Sequence, residues 1–260
     1  MPRLTEITDD NKLGGQLIQM KIFAISDLHL SFGENIDKPM DKFGEGWENH
    51  AGRLKAAWEE RISDGDIVLI PGDISWGLRL EEAVNDFEWL HSLPGIKIIS
   101  KGNHDLWWSR IKYLNSLFDD IIFLQNDCYV PEIGNLVIVA SRGWPYPGSE
   151  EYTEHDEKIY ARELQRLRLG LEAAKAAAPD ARIIACLHYP PSDPAGRQTG
   201  FTDILEEYGV WKCIYGHLHG YAAFGRGIKG ELRGVEYQLV ALDYLGAQPK
   251  LIYDSDSDSE

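Results

Sequence analysis

Five short apolar runs along the chain each lead into a turn that carries aspartate, asparagine or histidine side chains. The clearest run, residues 96–99, is rich in isoleucine like a buried strand and leads into the sequence Gly-Asn-His-Asp at residues 102–105. A single turn of this kind carries little weight, because Asn, Asp and Gly are common turn formers. Ligand sites in open α/β sheets gather where strands end at their carboxyl edge, so the repeated pattern predicts one shared polar site.

Segments of helical periodicity separate most of the strand-like runs. The predicted strands cover residues 21–25, 67–70, 96–99, 121–124, 136–140, 182–187, 211–215, 237–242 and 251–253. The predicted helices cover residues 47–62, 80–91, 107–117, 160–178 and 202–208, and the fourth has the longest apolar stripe. This alternation predicts an α/β fold with a parallel or mixed sheet covered by helices. The runs at 121–124 and 136–140 have no clear helix between them and are interpreted as a candidate hairpin.

The balance of charge is strongly acidic, with a formal net charge of −16 over 260 residues. Nonspecific binding to nucleic acid or to anionic membranes requires a basic surface, so neither is expected as a partner. No apolar run of the sequence approaches the roughly 20 residues of a membrane span. The three cysteines lie far apart and are interpreted as reduced thiols, which favours a cytoplasmic protein.

Three segments are expected along the chain. Residues 1–19 have no clear periodicity and are interpreted as a loosely ordered N-terminal extension. Residues 20–253 are expected to form the main domain, since 43% hydrophobic residues are ample for a core. Residues 254–260 are acidic and repetitive and are interpreted as a disordered tail.

Metal-binding side chains recur two residues apart in two of the turns, at Asp27 and His29 and at His217 and His219. Residues two apart on an extended chain point the same way, so each pair is expected to bind one ion. Imidazole, carboxylate and amide ligands without a thiolate suit Mn, Fe, Zn or Ni better than a structural zinc site. Two half-sites that share one carboxylate hold two metals about 3.5–4 Å apart, the arrangement used in phosphoryl hydrolysis.

Taken in order, the polar turns resemble the motifs of the calcineurin-like metallophosphoesterases. The matching residues are Asp27 and His29, Gly72 and Asp73, residues 102–105, His188, and Gly216, His217 and His219. The resemblance implies a four-layer α-β-β-α sandwich with two mixed β-sheets and a metal site at the strand ends. It also implies hydrolysis of phosphoester bonds with two divalent transition metal ions, of which manganese is expected first.

The resemblance assigns a role to each of these residues by position. Asp27, His29 and His219 would bind the first metal, Asn103, His188 and His217 the second, and Asp73 both. His104 would face the leaving-group oxygen as general acid or charge stabiliser, and Asp105 would orient the His104 ring. A hydroxide that bridges the metals would be the nucleophile.

Two classes of function stay open from the sequence, a phosphoesterase and a non-catalytic metal-binding scaffold of the same fold. The intact ligand positions and the intact His104 favour the enzyme. Its expected substrate is a small-molecule or nucleotide-like phosphomonoester or phosphodiester, and a large nucleic acid is not expected. The sequence leaves the oligomeric state open.

Residues beside the motifs are interpreted mostly as packing. Trp76, Trp144 and Tyr146 are expected to pack, with stacking on a substrate base as the alternative. Of Trp107 and Trp108, one is expected in the core, while the other is open between core and site.

Several charged residues and the remaining histidines are also placed outside the motifs. Arg142 is open between a phosphate clamp and part of a plain loop. Glu163 and its charged neighbours on the long helix are interpreted as a solvated face. The histidines outside the motifs are expected on the surface or in helix contacts: His50, His91 and His155.

Overall fold

Runs of aliphatic residues form the strands of two central sheets. The structure is a computed structural model that describes residues 19–44 and 46–257 and the backbone of residues 12–13 and 16–17. The strands are β1 (Lys12–Leu13), β2 (Gln16–Leu17), β3 (Lys21–Ala24), β4 (Ile67–Pro71), β5 (Ile96–Ser100), β6 (Ile121–Phe123), β7 (Cys128–Tyr129), β8 (Leu136–Ser141), β9 (Arg182–Leu187), β10 (Val210–Tyr215), β11 (Gly230–Leu232), β12 (Val235–Leu239) and β13 (Lys250–Asp254). The helices are α1 (His50–Arg61), α2 (Leu80–His91), α3 (Ile111–Leu114), α4 (Glu157–Ala177), α5 (Gly200–Glu207) and α6 (Tyr221–Phe224). Single 3-10 turns cover Met40–Phe43 and Glu154–Asp156.

Parallel strands form the centre of both sheets. The five-stranded sheet has the order β13-β3-β4-β5-β6, in which β3 to β6 are parallel and β13 is antiparallel. The six-stranded sheet has the order β11-β12-β10-β9-β8-β7, in which the four inner strands are parallel and both edge strands antiparallel. The strands β1 and β2 pair antiparallel with each other. Both sheets are therefore mixed, as expected from the sequence.

Alternating side chains of the strands separate the core into layers. Ile22 and Ala24 of β3 lie in the core between the two sheets, whereas Phe23 faces the core under α1 and α2. On the far side, α4 and α5 pack on the six-stranded sheet through residues such as Leu167 and Leu205. The order helix, sheet, sheet, helix confirms the expected four-layer sandwich.

Two expectations of local structure are wrong. The helix expected at 107–117 is only the single turn α3, at whose C-terminal end Asn115 exchanges two hydrogen bonds with the backbone of Phe123 in β6. The candidate hairpin does not form, since β6 pairs with β5 and β8 pairs with β7 and β9 in the other sheet. The chain crosses between the sheets at this point, which periodicity along the sequence does not reveal.

The interpretation of Glu163 as solvated is also wrong. The Glu163 side chain on α4 is fully buried and accepts hydrogen bonds from Arg166 at 2.8 Å and Arg142 at 3.3 Å. These two guanidinium groups offset the cost of burying its charge.

The last strand extends past the boundary expected at residue 253. Asp254 belongs to β13, and the backbone N–H of Ser255 donates to the Met20 carbonyl at 3.1 Å. The Met20 N–H in turn donates to Ser255 Oγ at 3.0 Å. Most of the expected N-terminal extension and residues 258–260 of the expected tail lie outside the described residues.

Candidate metal centre

The polar turns predicted from the sequence meet at one edge of the sandwich. They follow β3, β4, β5, β9 and β10 at the carboxyl ends of these strands. The segment after β12 joins the two sheets here, because Ser26 N–H donates to Val240 O at 2.9 Å and Leu242 N–H donates to Ser26 O at 3.0 Å. Side chains from both sheets therefore face one space.

Four of the expected ligands have a left-handed backbone: φ is 60° at Asp27, 45° at His29, 54° at Asp73 and 71° at His217. Such conformations cost about 1–3 kcal/mol each for residues with a side chain and are typical of functional sites. Backbone hydrogen bonds stabilise two of them, from Asp27 N–H to Gly72 O and from His29 N–H to Asp73 O, both at 3.0 Å.

The turns do not have the extended backbone from which residues two apart were expected to bind one ion. Asp27 and His29 are not extended, although they still share one cluster. His217 and His219 belong to different clusters, because His217 Nδ1 lies 3.0 Å from Asn103 Oδ1 while His219 Nε2 lies 3.2 Å from Asp27 Oδ1.

The first cluster contains Asp27, His29 and His219, whose possible ligand atoms all lie within 4.8 Å of one another. His29 is buried, and its Nδ1 atom has no hydrogen-bond partner in the described structure. His219 Nδ1 lies 3.0 Å from Asp243 Oδ1, so this nitrogen is held by a carboxylate and Nε2 faces Asp27. Asp243 was missed by the sequence analysis, although it directly follows the apolar run at 237–242 as the other polar residues follow theirs.

The second cluster contains His188, Asn103 and His217. His188 Nδ1 donates to the Pro71 carbonyl at 3.0 Å, which leaves a lone pair on Nε2. That Nε2 atom lies 2.6 Å from Asn103 Oδ1. The His217 Nδ1 atom lies 3.0 Å from the same Asn103 oxygen, so two imidazoles and an amide oxygen meet here, and this donor set fits a bound metal ion.

Asp73 lies between the two clusters. Its Oδ2 atom is 3.8 Å from His29 Nε2 and 3.4 Å from His188 Nε2, while its Oδ1 atom accepts a hydrogen bond from His104 N–H at 2.8 Å. The side chains of Asp27, Asp73 and His188 also offer one ligand atom each within 4.8 Å. A carboxylate in this position can contact ions held by either cluster.

Burial shapes the protonation of the centre. It raises the pKa of Asp73 to about 7, together with the charge of Asp27, and lowers the pKa of His188 to about 4. Burial also holds the pKa of His29 well below its usual range. For His219, burial lowers the pKa, but the carboxylates of Asp27 and Asp243 outweigh it and give a net rise to about 10. The neutral imidazoles of His29 and His188 and the crowded carboxylates favour divalent cations, which need deprotonated ligands.

Asp105 does not have the position expected for it. Its Oδ2 atom accepts hydrogen bonds from the backbone N–H groups of Asp73 and Gly102, and its Oδ1 atom accepts from Ile74 N–H and Trp107 Nε1. With both oxygens engaged in this way, the carboxylate fixes the turns that carry Asp73 and Asn103 rather than the His104 ring.

His104 is exposed at the mouth of the centre. Its ring lies 4.6 Å from the Trp76 ring and 5.5 Å from the His29 ring. Trp76 in turn stacks on His29 at 4.7 Å, so this tryptophan packs against the centre. The imidazole of His104 is thus placed beside the clusters with its edge open to a ligand.

Close backbone approach explains why Gly102 and Gly216 lie in the turns. A Cβ atom on Gly102 would come 2.0 Å from Asp73 Oδ1, and one on Gly216 would come 2.3 Å from Asp27 Oδ2. Neither position can carry a side chain without moving a carboxylate of the centre.

Other candidate residues of the sequence analysis pack away from the metal clusters. The guanidinium of Arg142 lies 4.3 Å above the Trp144 ring and binds Glu163, and Trp144 Nε1 donates to Asp156 at 3.0 Å. Trp107 is buried in the core. Trp108 packs on Phe123. His50 Nε2 lies 3.0 Å from the Leu28 carbonyl, and His91 Nδ1 lies 2.6 Å from an Asp120 oxygen. His155 is exposed.

Known proteins resemble this chain in sequence and in fold. Residues 20–221 match the sequence model of the calcineurin-like phosphoesterases. The gene 66 protein of Mycobacterium phage D29 is 28% identical over an alignment 109 residues long, which covers 36% of this chain and 52% of that protein. The chain thus spans about half the length of this curated relative.

Solved structures include one that shares the fold over most of both chains. The phosphopantetheinyl hydrolase of Mycobacterium tuberculosis superposes with a TM-score of 0.53 at 15% identity, covering 90% of this chain and 96% of that one. A 5'-nucleotidase precursor from Thermus thermophilus has a TM-score of 0.41 at 12% identity, covering 91% of this chain and 53% of that one.

Among the described residues, no helix is long and apolar enough to cross a membrane.

Proposed function

The chain belongs to the calcineurin-like phosphoesterase family, and from this premise we propose that it hydrolyses small-molecule phosphoesters with two divalent metal ions. The observation that carries the proposal is the position of Asp73 between two clusters of ligand atoms. A scaffold without turnover is the second candidate, and the open imidazole of His104 at the mouth of the centre argues against it.

The ligand sets follow from the contacts of the two clusters. Asp27, His29 and His219 would hold one ion, Asn103, His188 and His217 the other, and Asp73 would contact both. When bound, such ions supply an activated water and neutralise the charge of the phosphate oxygens. Imidazole, carboxylate and amide donors suit Mn, Fe, Zn and Ni, and we propose manganese first.

The other residues of the centre act by position and by proton transfer. His104 would donate a proton to the departing oxygen or stabilise its charge. Asp105 holds the backbone of Asp73 and Gly102, and Asp243 holds the Nδ1 atom of His219. These contacts keep the ligands in place before substrate binds.

The class of substrate follows from charge and size. A net charge of −16 disfavours a large nucleic acid, so we propose a small-molecule phosphomonoester or phosphodiester. The described cysteines are free thiols, which supports a reducing compartment such as the cytoplasm.

The test is metal analysis and turnover of Asp73→Asn against a matched variant. Asp86→Asn is the control, because Asp86 is a fully buried aspartate that binds Phe32 N–H and Ser75 rather than the clusters. The wild type and the control should bind two Mn ions and hydrolyse aryl phosphates, and Asp73→Asn should lose metal and about 10²–10³-fold in kcat. One bound metal in the wild type, or activity that survives chelation, would contradict the proposal.

A further inference from the structure

A cavity of about 350 Å³ opens beside the second ligand cluster. Its walls come from the segments 145–151, 189–197 and 217–226, which follow β8, β9 and β10. His217 belongs both to the second ligand cluster and to the cavity wall. The cavity is therefore continuous with the candidate metal centre.

The walls of the cavity are mostly apolar and rigid. Tyr146 and Tyr189 are 7% and 8% exposed, and the Tyr189 ring lies 4.3 Å from the ring of His217. The lining also includes Pro145, Pro190 and Pro194. Proline fixes the backbone φ angle, so this wall changes shape little when a ligand enters.

The charged groups around the cavity are already matched with one another. They form three contacts: Arg197 with Asp193 at 3.0 Å, Arg226 with Glu150 at 3.1 Å, and His217 with Glu151 at 3.3 Å. A charged group on a ligand would find no unmatched charge of opposite sign among these side chains and would give up part of its own hydration.

We propose that this cavity binds the leaving group of the substrate and selects phosphoesters whose leaving group is a neutral, apolar ring system. The proposal rests on the hydrolase function, which places the phosphate at the metal clusters. The volume corresponds to about a dozen water molecules. An apolar ring that displaces them removes apolar surface from water, whereas a small polar leaving group leaves the cavity wet.

The test compares binding of non-hydrolysable phosphonates to the metal-loaded protein. The probes are methylphosphonate, naphthylmethylphosphonate and the same naphthyl compound with a sulfonate on its ring. The wild type should bind the naphthyl probe at least about ten-fold more tightly than the other two. Equal affinity for methyl and naphthyl probes in the wild type would overturn the proposal without any variant.

A pair of glycine variants locates the binding site. Gly225 lines the cavity, and a Cβ atom on it meets nothing within 4 Å, so Gly225→Trp adds a bulky ring at the cavity wall with no clash at Cβ. Gly65→Trp is the matched control, because Gly65 is exposed and equally open but far along the chain in the turn before β4. Gly225→Trp should abolish the preference for the naphthyl probe, and Gly65→Trp should keep it. Unchanged naphthyl binding in folded Gly225→Trp would overturn the assignment to this cavity.

Turnover of naphthyl phosphate and glycerol phosphate separates this proposal from the hydrolase function. The hydrolase proposal alone would be contradicted if the metal-loaded wild type turned over neither ester but still bound the naphthyl probe more tightly than methylphosphonate. The cavity proposal alone would be contradicted if the wild type turned over both esters but bound the two probes equally.

Discussion

Each histidine that faces the centre from the six-stranded sheet has one ring nitrogen held by a neighbour. The Pro71 carbonyl holds His188, Asp243 holds His219 and Glu151 holds His217. Such partners set which nitrogen faces the metal and how basic it is. His104 is different in that its ring is exposed, which suits a group that meets the substrate.

The role of His104 can be separated from metal binding. His104→Asn should leave metal content and melting temperature unchanged, because the contact to Asp73 comes from the backbone N–H. We expect kcat to fall about 10²–10⁴-fold for alkyl phosphoesters, whose leaving oxygen needs a proton. The loss should be much smaller for nitrophenyl phosphate, and steady-state kinetics on both substrates measure the contrast. Equal losses, or loss of metal, would mean that His104 has another role.

Asp86 gives a test of stability against pH away from the centre. Burial raises its pKa to about 6, above the usual value, while hydrogen bonds from Ser75 and Phe32 N–H oppose the rise. A raised carboxyl pKa in the folded state means that folding binds protons, so this contribution to stability is lost as pH rises from about 4 to about 6. Relative to Asp86→Asn, the wild type should lose about 2 kcal/mol of unfolding free energy between pH 4.5 and pH 7.

Urea denaturation of both proteins, metal-free, at pH 4.5 and pH 7 measures the difference. Comparison with the variant removes the titration of the other groups from the result. A difference that stays constant between the two pH values would show that Asp86 has an ordinary pKa in the folded protein.

At the scale of elements, the loop after β8 has two different surfaces. Tyr146 lines the cavity, whereas Trp144 packs between Arg142 and Asp156. Trp144→Ala should therefore cost about 3 kcal/mol of stability and change KM equally for nucleotide and aryl substrates.

Tyr221→Ala is the control for this variant, since Tyr221 is an aromatic residue that is 95% exposed. It should leave the melting temperature unchanged. A rise in KM for nucleotides alone in Trp144→Ala would place this tryptophan against the substrate after all.

A second prediction concerns the C-terminal end of β13. Deleting residues 257–260 should change the melting temperature little, whereas deleting 254–260 also removes Asp254 from the strand and the two hydrogen bonds between Ser255 and Met20. Each kcal/mol lost should lower the melting temperature by about 2–4 °C for a domain of this size. Equal melting temperatures of the two truncated proteins would show that the pairing with Met20 contributes nothing.

Helices and strands could be predicted from the sequence where a local apolar pattern sets their bounds. The pairing of strands could not be predicted in this way. The helix α2 begins and ends at the predicted residues because its apolar face has a clear helical period. The partners of β6 and β8 depend on the crossing of the chain between sheets, which no local pattern encodes. Glu163 looks like a surface residue by spacing, and its burial depends on Arg142, which approaches from another element, together with Arg166 of its own helix.

For the whole molecule, the centre depends on both sheets. Asp27, Asp73 and Asn103 follow strands of the five-stranded sheet, whereas His188 and His217 follow strands of the six-stranded sheet. The positions of these residues could be predicted from the sequence, because each directly follows an apolar strand. The left-handed backbone of Asp27, Asp73 and His217, the support by Asp105 and Asp243, and the cavity at His217 depend on contacts between distant segments.

We propose that two metal ions lie on either side of Asp73. An anomalous difference map from crystals of the manganese-loaded protein would locate them. We predict two peaks about 3.5–4 Å apart, one near His29 and His219 and one near His188 and His217, with the Asp73 carboxylate between them. A single peak at full manganese occupancy, or two peaks with Asp73 in contact with neither, would contradict the claim.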